Sequence, residues 1–233
     1  MSVQANLLIF DCDGVLVDSE PLACRAVYSL LKTHGFKEDE QSFYKKIFGL
    51  GDEAVFKMAT QDYGLPLEKE SFFKTLDEHM SSLFLKYLKP IPGIEDCLRN
   101  LPWNTCVASN SPKNRLVANL DRTGLSSFLK PENIYSAEQV SRPKPAPDLY
   151  RYVADQKNVS PNQCLVIEDS LPGTRAALDA GMAVIGFCCG SHIPDDHAKN
   201  LLDLGASDIA FTSHELKHKI KNWNAEHHQK QAS

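Results

Sequence analysis

Two apolar runs in this chain end abruptly in carboxylates. Ala5–Phe10 (ANLLIF) empties into Asp11-Cys12-Asp13-Gly14, and Cys164–Ile167 (CLVI) empties into Glu168-Asp169-Ser170. Alternate side chains of an extended segment point the same way, so Asp11 and Asp13 stand side by side where the first run ends. Two such carboxylates repel each other and call for a cation or for a raised pKa on one of them. A hard divalent ion with an acid/base partner satisfies both needs. Taken alone, Asp-x-Asp-Gly fits an acidic turn equally well, and Glu168-Asp169 fits a pair of macrodipole partners at a helix start. Two further segments add cations and donors. Val107-Ala108-Ser109-Asn110-Ser111 ends a third apolar run with a hydroxyl and main-chain amides at a helix start, suited to phosphate oxygens and also to plain N-capping. Arg142-Pro143-Lys144-Pro145-Ala146-Pro147 sets one lysine among three prolines, which fits either a surface turn or a fixed cation paired with a carboxylate and a phosphoryl group.

The elements that position these residues follow from the pattern. Ala5–Phe10, Thr105–Ala108, Cys164–Ile167 and Ala183–Phe187 read as buried strands, each followed by a polar or Gly-containing loop and a helical pattern. Strands alternating with helices predict a doubly wound parallel α/β sheet covered on both faces. The rhythm breaks between Asp18 and Leu88. There the spacing predicts helices: one from Ser19-Glu20-Pro21 to Gly35, then Gln41–Phe48, Glu53–Tyr63 and Glu68–Leu88, with no strand between them. This segment is expected to be an inserted all-helical domain, residues 17–88, with the α/β core formed by residues 1–16 and 89–233 and resuming after Pro90-Ile91-Pro92-Gly93. Val15–Asp18 and Lys89–Gly93 are the expected hinges. The tail Asn224–Ser233 is expected to fray, with His227 and His228 solvated.

Composition limits the functions available. The 233 residues are 42% hydrophobic, enough for a sizeable core, and the formal net charge of −5 does not favour wrapping a polyanion, so nucleic acid is excluded as the main partner. Seven cysteines, odd in number and without a CxxC pair, read as buried thiols rather than a disulfide framework or a zinc site. No membrane-length apolar run and no leader pattern is present, so the expectation is a soluble cytoplasmic protein without membrane association.

The four motifs in this order, DCDGVLVDS, VASNS, RPKPAPDLY and VIEDS, resemble the haloacid dehalogenase superfamily of phosphotransferases over nearly the whole chain. That resemblance implies a three-layer Rossmannoid α/β core with a helical cap, and a small phosphorylated metabolite as substrate. The protein would act as a monomer or weak homodimer. It implies Asp11 as the nucleophile that becomes a phosphoaspartate, and Asp13 as the acid that later becomes the base. Mg²⁺ would be held by Asp11, the carbonyl of Asp13 and Asp169, with Glu168 binding directly or through water. Ser109, Asn110 and Lys144 would hold the phosphoryl oxygens. Asp13 also separates this sequence from the dehalogenases and the phosphonate-cleaving members, which lack a second Asp. The nearest rival is β-phosphoglucomutase, whose cap His falls at Ala23 and whose phosphate-binding cap Arg falls near Asp52, an acid that would repel a second phosphate. Gly49, Asp52 and Lys46 are the candidate cap contacts, with Lys45 and Lys57 as further cations. Similarity to sugar-phosphate and 6-phosphogluconate phosphatases favours hydrolysis; a catalytically silent binding module on the same fold is the remaining alternative.

Overall fold

The computed structural model describes residues 7–47, 49–99, 101, 104–190 and 193–232, with side chains as far as residue 225. Ala5 and Asn6 of the first expected strand, Phe48, and the side chains of His227 and His228 therefore lie outside the described residues. The chain forms two compact units: Met1–Asp18 with Lys89–Ser233, and Ser19–Leu88.

The first unit is built on a six-stranded sheet in the order β3-β2-β1-β4-β5-β6, from β1 Leu7–Phe10, β2 Asn104–Ser109, β3 Ile134–Ser136, β4 Cys164–Glu168, β5 Ala183–Phe187 and β6 Asp208–Ala210. Every pairing is parallel. Helices α5 Ile94–Arg99, α6 Lys113–Arg122, α7 Asp148–Lys157, α8 Leu171–Asp179, α9 His197–Leu204 and α10 Ser213–Ala232 alternate with the strands. β1 and β4 are buried along their full length, which is why they read as unbroken apolar runs rather than alternating ones. Leu7, Ile9, Val166 and Val184 share one core cluster with Tyr150 and Val153 of α7 and Ala176 and Ala177 of α8. β1 lies between β2 and β4, with Phe10 opposite both Val107 and Ile167. The strand order reverses at this point, and ligands of open α/β sheets bind beyond the strand ends there.

The second unit holds α1 Glu20–Thr33, α2 Glu40–Ile47, α3 Asp52–Gln61 and α4 Lys69–Tyr87. Pro21 sits in the first turn of α1, where its missing N–H costs nothing. Phe72, Leu76, Met80 and Phe84 recur every fourth residue along α4 and are buried, and α4 packs on α1. Glu68 caps α4 by accepting from the Glu70 and Ser71 amides. Tyr28 of α1, Phe36, Phe43 of α2 and Tyr63 form an aromatic cluster.

The unit boundary and the C-terminal tail differ from the sequence reading. Val17 and Asp18 belong to the first unit rather than the helical one, because Val17 bridges to Pro90 and the Asp18 amide donates to the Lys89 carbonyl. The tail expected to fray instead continues α10 to Ala232. No helix among the described residues is long and apolar enough to cross a membrane.

Candidate active site

The loop after β1 is wound tightly by its own amides. Leu16 and Val17 both donate to the Cys12 carbonyl, and Gly14 donates to Val17. The Asp11 amide still bonds to the Ile167 carbonyl of β4, so Asp11 continues the sheet ladder while its side chain stands at the strand end. Gly14 has φ of 77°, and a Cβ there would lie 2.0 Å from Asp169 Oδ2. Glycine at this point thus lets the carboxylates from β1 and β4 converge.

Lys144 organises the buried centre. Its ammonium donates to Asp11 Oδ1 at 2.6 Å, Glu168 Oε1 at 2.6 Å and the Ala108 carbonyl at 2.8 Å, so all three protons are placed. The Asn110 side chain grips the lysine loop from both sides, donating to the Lys144 carbonyl and accepting from its amide at 3.1 and 2.9 Å. That side chain, expected on phosphate from the sequence, is therefore committed to holding the lysine loop. Glu168 is fully enclosed. Its Oε1 also accepts from Tyr150 Oη at 2.8 Å, and its Oε2 accepts from the amide and hydroxyl of Ser170 at 3.1 and 2.9 Å. Ser170 in turn caps α8 by accepting from the Gly173 amide. A Cβ on Gly173 would fall 1.7 Å from Glu168 Oε1, so the helix start passes directly over the carboxylate.

On the other side, Ser109 Oγ accepts from the Ser111 amide and lies 3.4 Å from Asp13 Oδ2. Ser111 Oγ donates to the same Asp13 oxygen at 2.8 Å and accepts from Arg115 at 3.4 Å. The predicted core residues Asp11, Asp13, Ser109, Asn110, Lys144, Glu168 and Asp169 are thus brought together at the C-terminal ends of three neighbouring strands. Tyr150, Ser111, Arg115 and Ser170 join them without having been singled out. Ser111, Tyr150 and Ser170 close the motifs VASNS, RPKPAPDLY and VIEDS, whereas Arg115 lies outside all four.

The residues proposed from the helical segment stand elsewhere in the chain, within the second unit. Lys46 donates to Glu38 at 2.6 Å and to Tyr63 Oη at 2.9 Å. Gly49 adopts φ of 74° after α2, the conformation of a helix-ending glycine, and Asp52 is the first residue of α3.

Electrostatics distinguish the roles. Burial pushes the Asp11 carboxyl up to about 8, opposed by Lys144 and reinforced by Glu168 and Asp13. Burial disfavours the charge on Lys144, but Asp11, Glu168 and Tyr150 outweigh it and hold the ammonium well above its ordinary range. Burial, then the Glu168 charge, raises the Tyr150 phenol well above its usual value, so it remains a donor. Cys12 is held as a thiol by burial and by Asp13 and Asp11, so it is no rival nucleophile. A centre in which burial raises Asp11 this far needs more positive charge than one lysine supplies before Asp11 is fully ionised at neutral pH.

Asp11, Glu168 and Asp169 each offer an oxygen within 4.8 Å of the others, and all three are buried. The donor set is all oxygen, with no His or Cys in the cluster, which suits a hard divalent cation rather than a soft one. The missing Cβ of Gly14 leaves the Asp169 carboxylate room to join it. The residues present fit such an ion.

Comparison with known proteins gives a concordant result. Residues 8–187 match the family model described as haloacid dehalogenase-like hydrolase. The chain is 29% identical over 189 residues to 6-phosphogluconate phosphatase of Escherichia coli, covering 81% of this chain and 85% of that one. A conserved haloacid dehalogenase-like protein of unknown function from Agrobacterium tumefaciens superposes with a TM-score of 0.85 at 33% identity, covering 94% of this chain and 99% of that one. A haloacid dehalogenase family hydrolase from Deinococcus radiodurans, solved with bound phosphate and sodium, superposes with a TM-score of 0.77 at 30% identity, covering 94% and 96%.

Proposed function

Because the chain belongs to the haloacid dehalogenase-like hydrolases, we propose that it is a magnesium-dependent phosphatase of small phosphorylated metabolites, sugar phosphates and phosphogluconate among them. The observation that carries this reading is the salt bridge of 2.6 Å between Lys144 and Asp11, within the cluster of Glu168 and Asp169 and beside Ser109. An aspartate attacks a phosphate dianion only where cations cancel the mutual repulsion, and Lys144 together with a cation on the acidic cluster would supply that here.

In the proposed reaction Asp11 attacks phosphorus and forms a phosphoaspartate. Asp13 gives its proton to the leaving oxygen and then removes one from the water that hydrolyses the intermediate. Ser109 Oγ holds a phosphoryl oxygen, Lys144 contributes its positive charge beside Asp11 rather than a free proton, and the Asn110 side chain holds the lysine loop in register. Asp11, Asp169, the Asp13 carbonyl and Glu168 are the groups that would hold Mg²⁺. When bound, the ion supplies charge neutralisation of the transferring phosphoryl group and of Asp11. The buried Lys144 adds positive charge to the same centre and is held in place, because Asp11, Glu168 and the Ala108 carbonyl occupy its three protons.

A panel of sugar phosphates, phosphogluconate and nucleotides, assayed with Mg²⁺ and with EDTA, tests the proposal. Free phosphate released only with Mg²⁺, with sugar phosphates or phosphogluconate leading the panel, is the expected result. Conversion of glucose 1-phosphate into glucose 6-phosphate without phosphate release would make the chain a mutase. No turnover of any ester by folded protein would make it a binding module.

A further inference from the structure

His197 is the first residue of α9 and is almost fully buried, with 4% exposure. Its Nε2 lies 2.5 Å from the main-chain oxygen of Asp169, twenty-eight residues earlier in the chain. A carbonyl oxygen only accepts, so Nε2 is the donor in this contact. Nothing in the reaction proposed above uses this histidine.

Its placement matters because of what Asp169 does. Glu168, the neighbouring acid, is held through its side chain by Lys144, Tyr150 and Ser170. Two contacts bear on the placement of Asp169. On one side its carboxylate lies over the bare Cα of Gly14, and on the other its carbonyl is held by His197. The orientation of the peptide after Asp169 sets where its Cα–Cβ bond points, and hence where the carboxylate stands before any ion arrives. Groups that hold a ligand residue in this way raise metal affinity because the geometry need not be assembled on binding.

We infer that His197 is a positioning residue for the cation site, acting through the Asp169 main chain. The inference rests on the reading of Asp169 as a Mg²⁺ ligand, and the buried imidazole is otherwise only a packed core histidine. The two are separated by metal affinity, which a merely structural histidine would not alter.

The experiment is calorimetric titration of the whole protein with Mg²⁺, without substrate, for wild type and three variants. His197→Phe fills the same space without a donor and should weaken Mg²⁺ binding about tenfold. His197→Gln carries an amide near the position of ring Nε2 and should return to within about threefold of wild type. His197→Asn is too short to reach the carbonyl and should remain weak. Wild-type affinity in the Phe variant, or equal affinities in the Gln and Asn variants, would overturn the inference. The Gln–Asn comparison decides the matter where the Phe variant does not fold. A wild type that takes up no Mg²⁺ would overturn the metal reading itself, and the role of His197 with it.

Discussion

Asp11→Asn is expected to lower kcat by roughly 10⁴-fold or more while leaving the fold intact, because the amide keeps the shape of the side chain but cannot accept the phosphoryl group. Its two nearest candidates as substitute nucleophiles in the motifs, Cys12 and Glu168, are unsuited to replace it. Cys12 is a buried thiol held protonated, and Glu168 is surrounded by Lys144, Tyr150 and Ser170. The same substitution has a second consequence for stability. Burial first, then Glu168 and Asp13, raise Asp11 from 3.8 to about 8 against the pull of Lys144, so the metal-free folded protein binds a proton that the unfolded chain releases. Stability of metal-free wild type therefore falls as pH rises between those two values, since the folded state then binds more protons than the unfolded one. Asp11→Asn removes that titration. Denaturant unfolding without metal, measured from pH 5 to pH 8, should show a downward slope in wild type and a flatter profile in the variant. Steady-state kinetics on the same preparations give the loss in kcat.

Lys144→Met should be the most damaging of the site substitutions to both fold and turnover. The lysine side chain is 4% exposed and the Glu168 side chain fully buried, and removing the cation leaves the enclosed Glu168 carboxylate, and Asp11 whenever it is ionised, without their buried counter-charge. Breaking a buried pair from one side costs about 3–5 kcal/mol. Turnover should fall by roughly 10³-fold, the scale on which loss of a cation aimed at developing charge is felt. Lys144→Arg should not rescue it. Three acceptors, Asp11, Glu168 and the Ala108 carbonyl, converge on one nitrogen, and a planar guanidinium cannot serve all three from a single point. Urea unfolding together with kcat at saturating Mg²⁺ measures both effects, and an active, fully stable Lys144→Arg would show that the lysine geometry is not required.

The strands that carry the chemistry were legible in the sequence because they are central. β1, β4 and most of β2 are buried on both faces, so apolar runs ending in Asp, Ser and Glu mark their boundaries within a residue or two. The edge strands were not legible. β3 and β6 are three residues each, too short to generate a periodic signal, and they owe their existence to pairing with β2 and β5. The helices α1 to α4 were legible from their spacing and from the glycines and prolines between them. What the motifs could not convey was who holds the functional residues. Asn110 stands next to Ser109 in sequence and invites the same role, yet its side chain meets the main chain of Lys144, thirty-four residues away. Tyr150 and His197 likewise reach Glu168 and Asp169 only through the fold. Contacts across strand ends depend on register and layer spacing, which local pattern does not encode.

The most direct test of the proposed chemistry is mass spectrometry of the protein after acid quench during turnover of a substrate found in the panel. The expected result is one added phosphoryl group on the peptide containing Asp11, which disappears when substrate is exhausted and never forms in Asp11→Asn. Turnover with no covalent phosphoryl group at any quench time, or with the group on another residue, would contradict the assignment of Asp11 as the nucleophile.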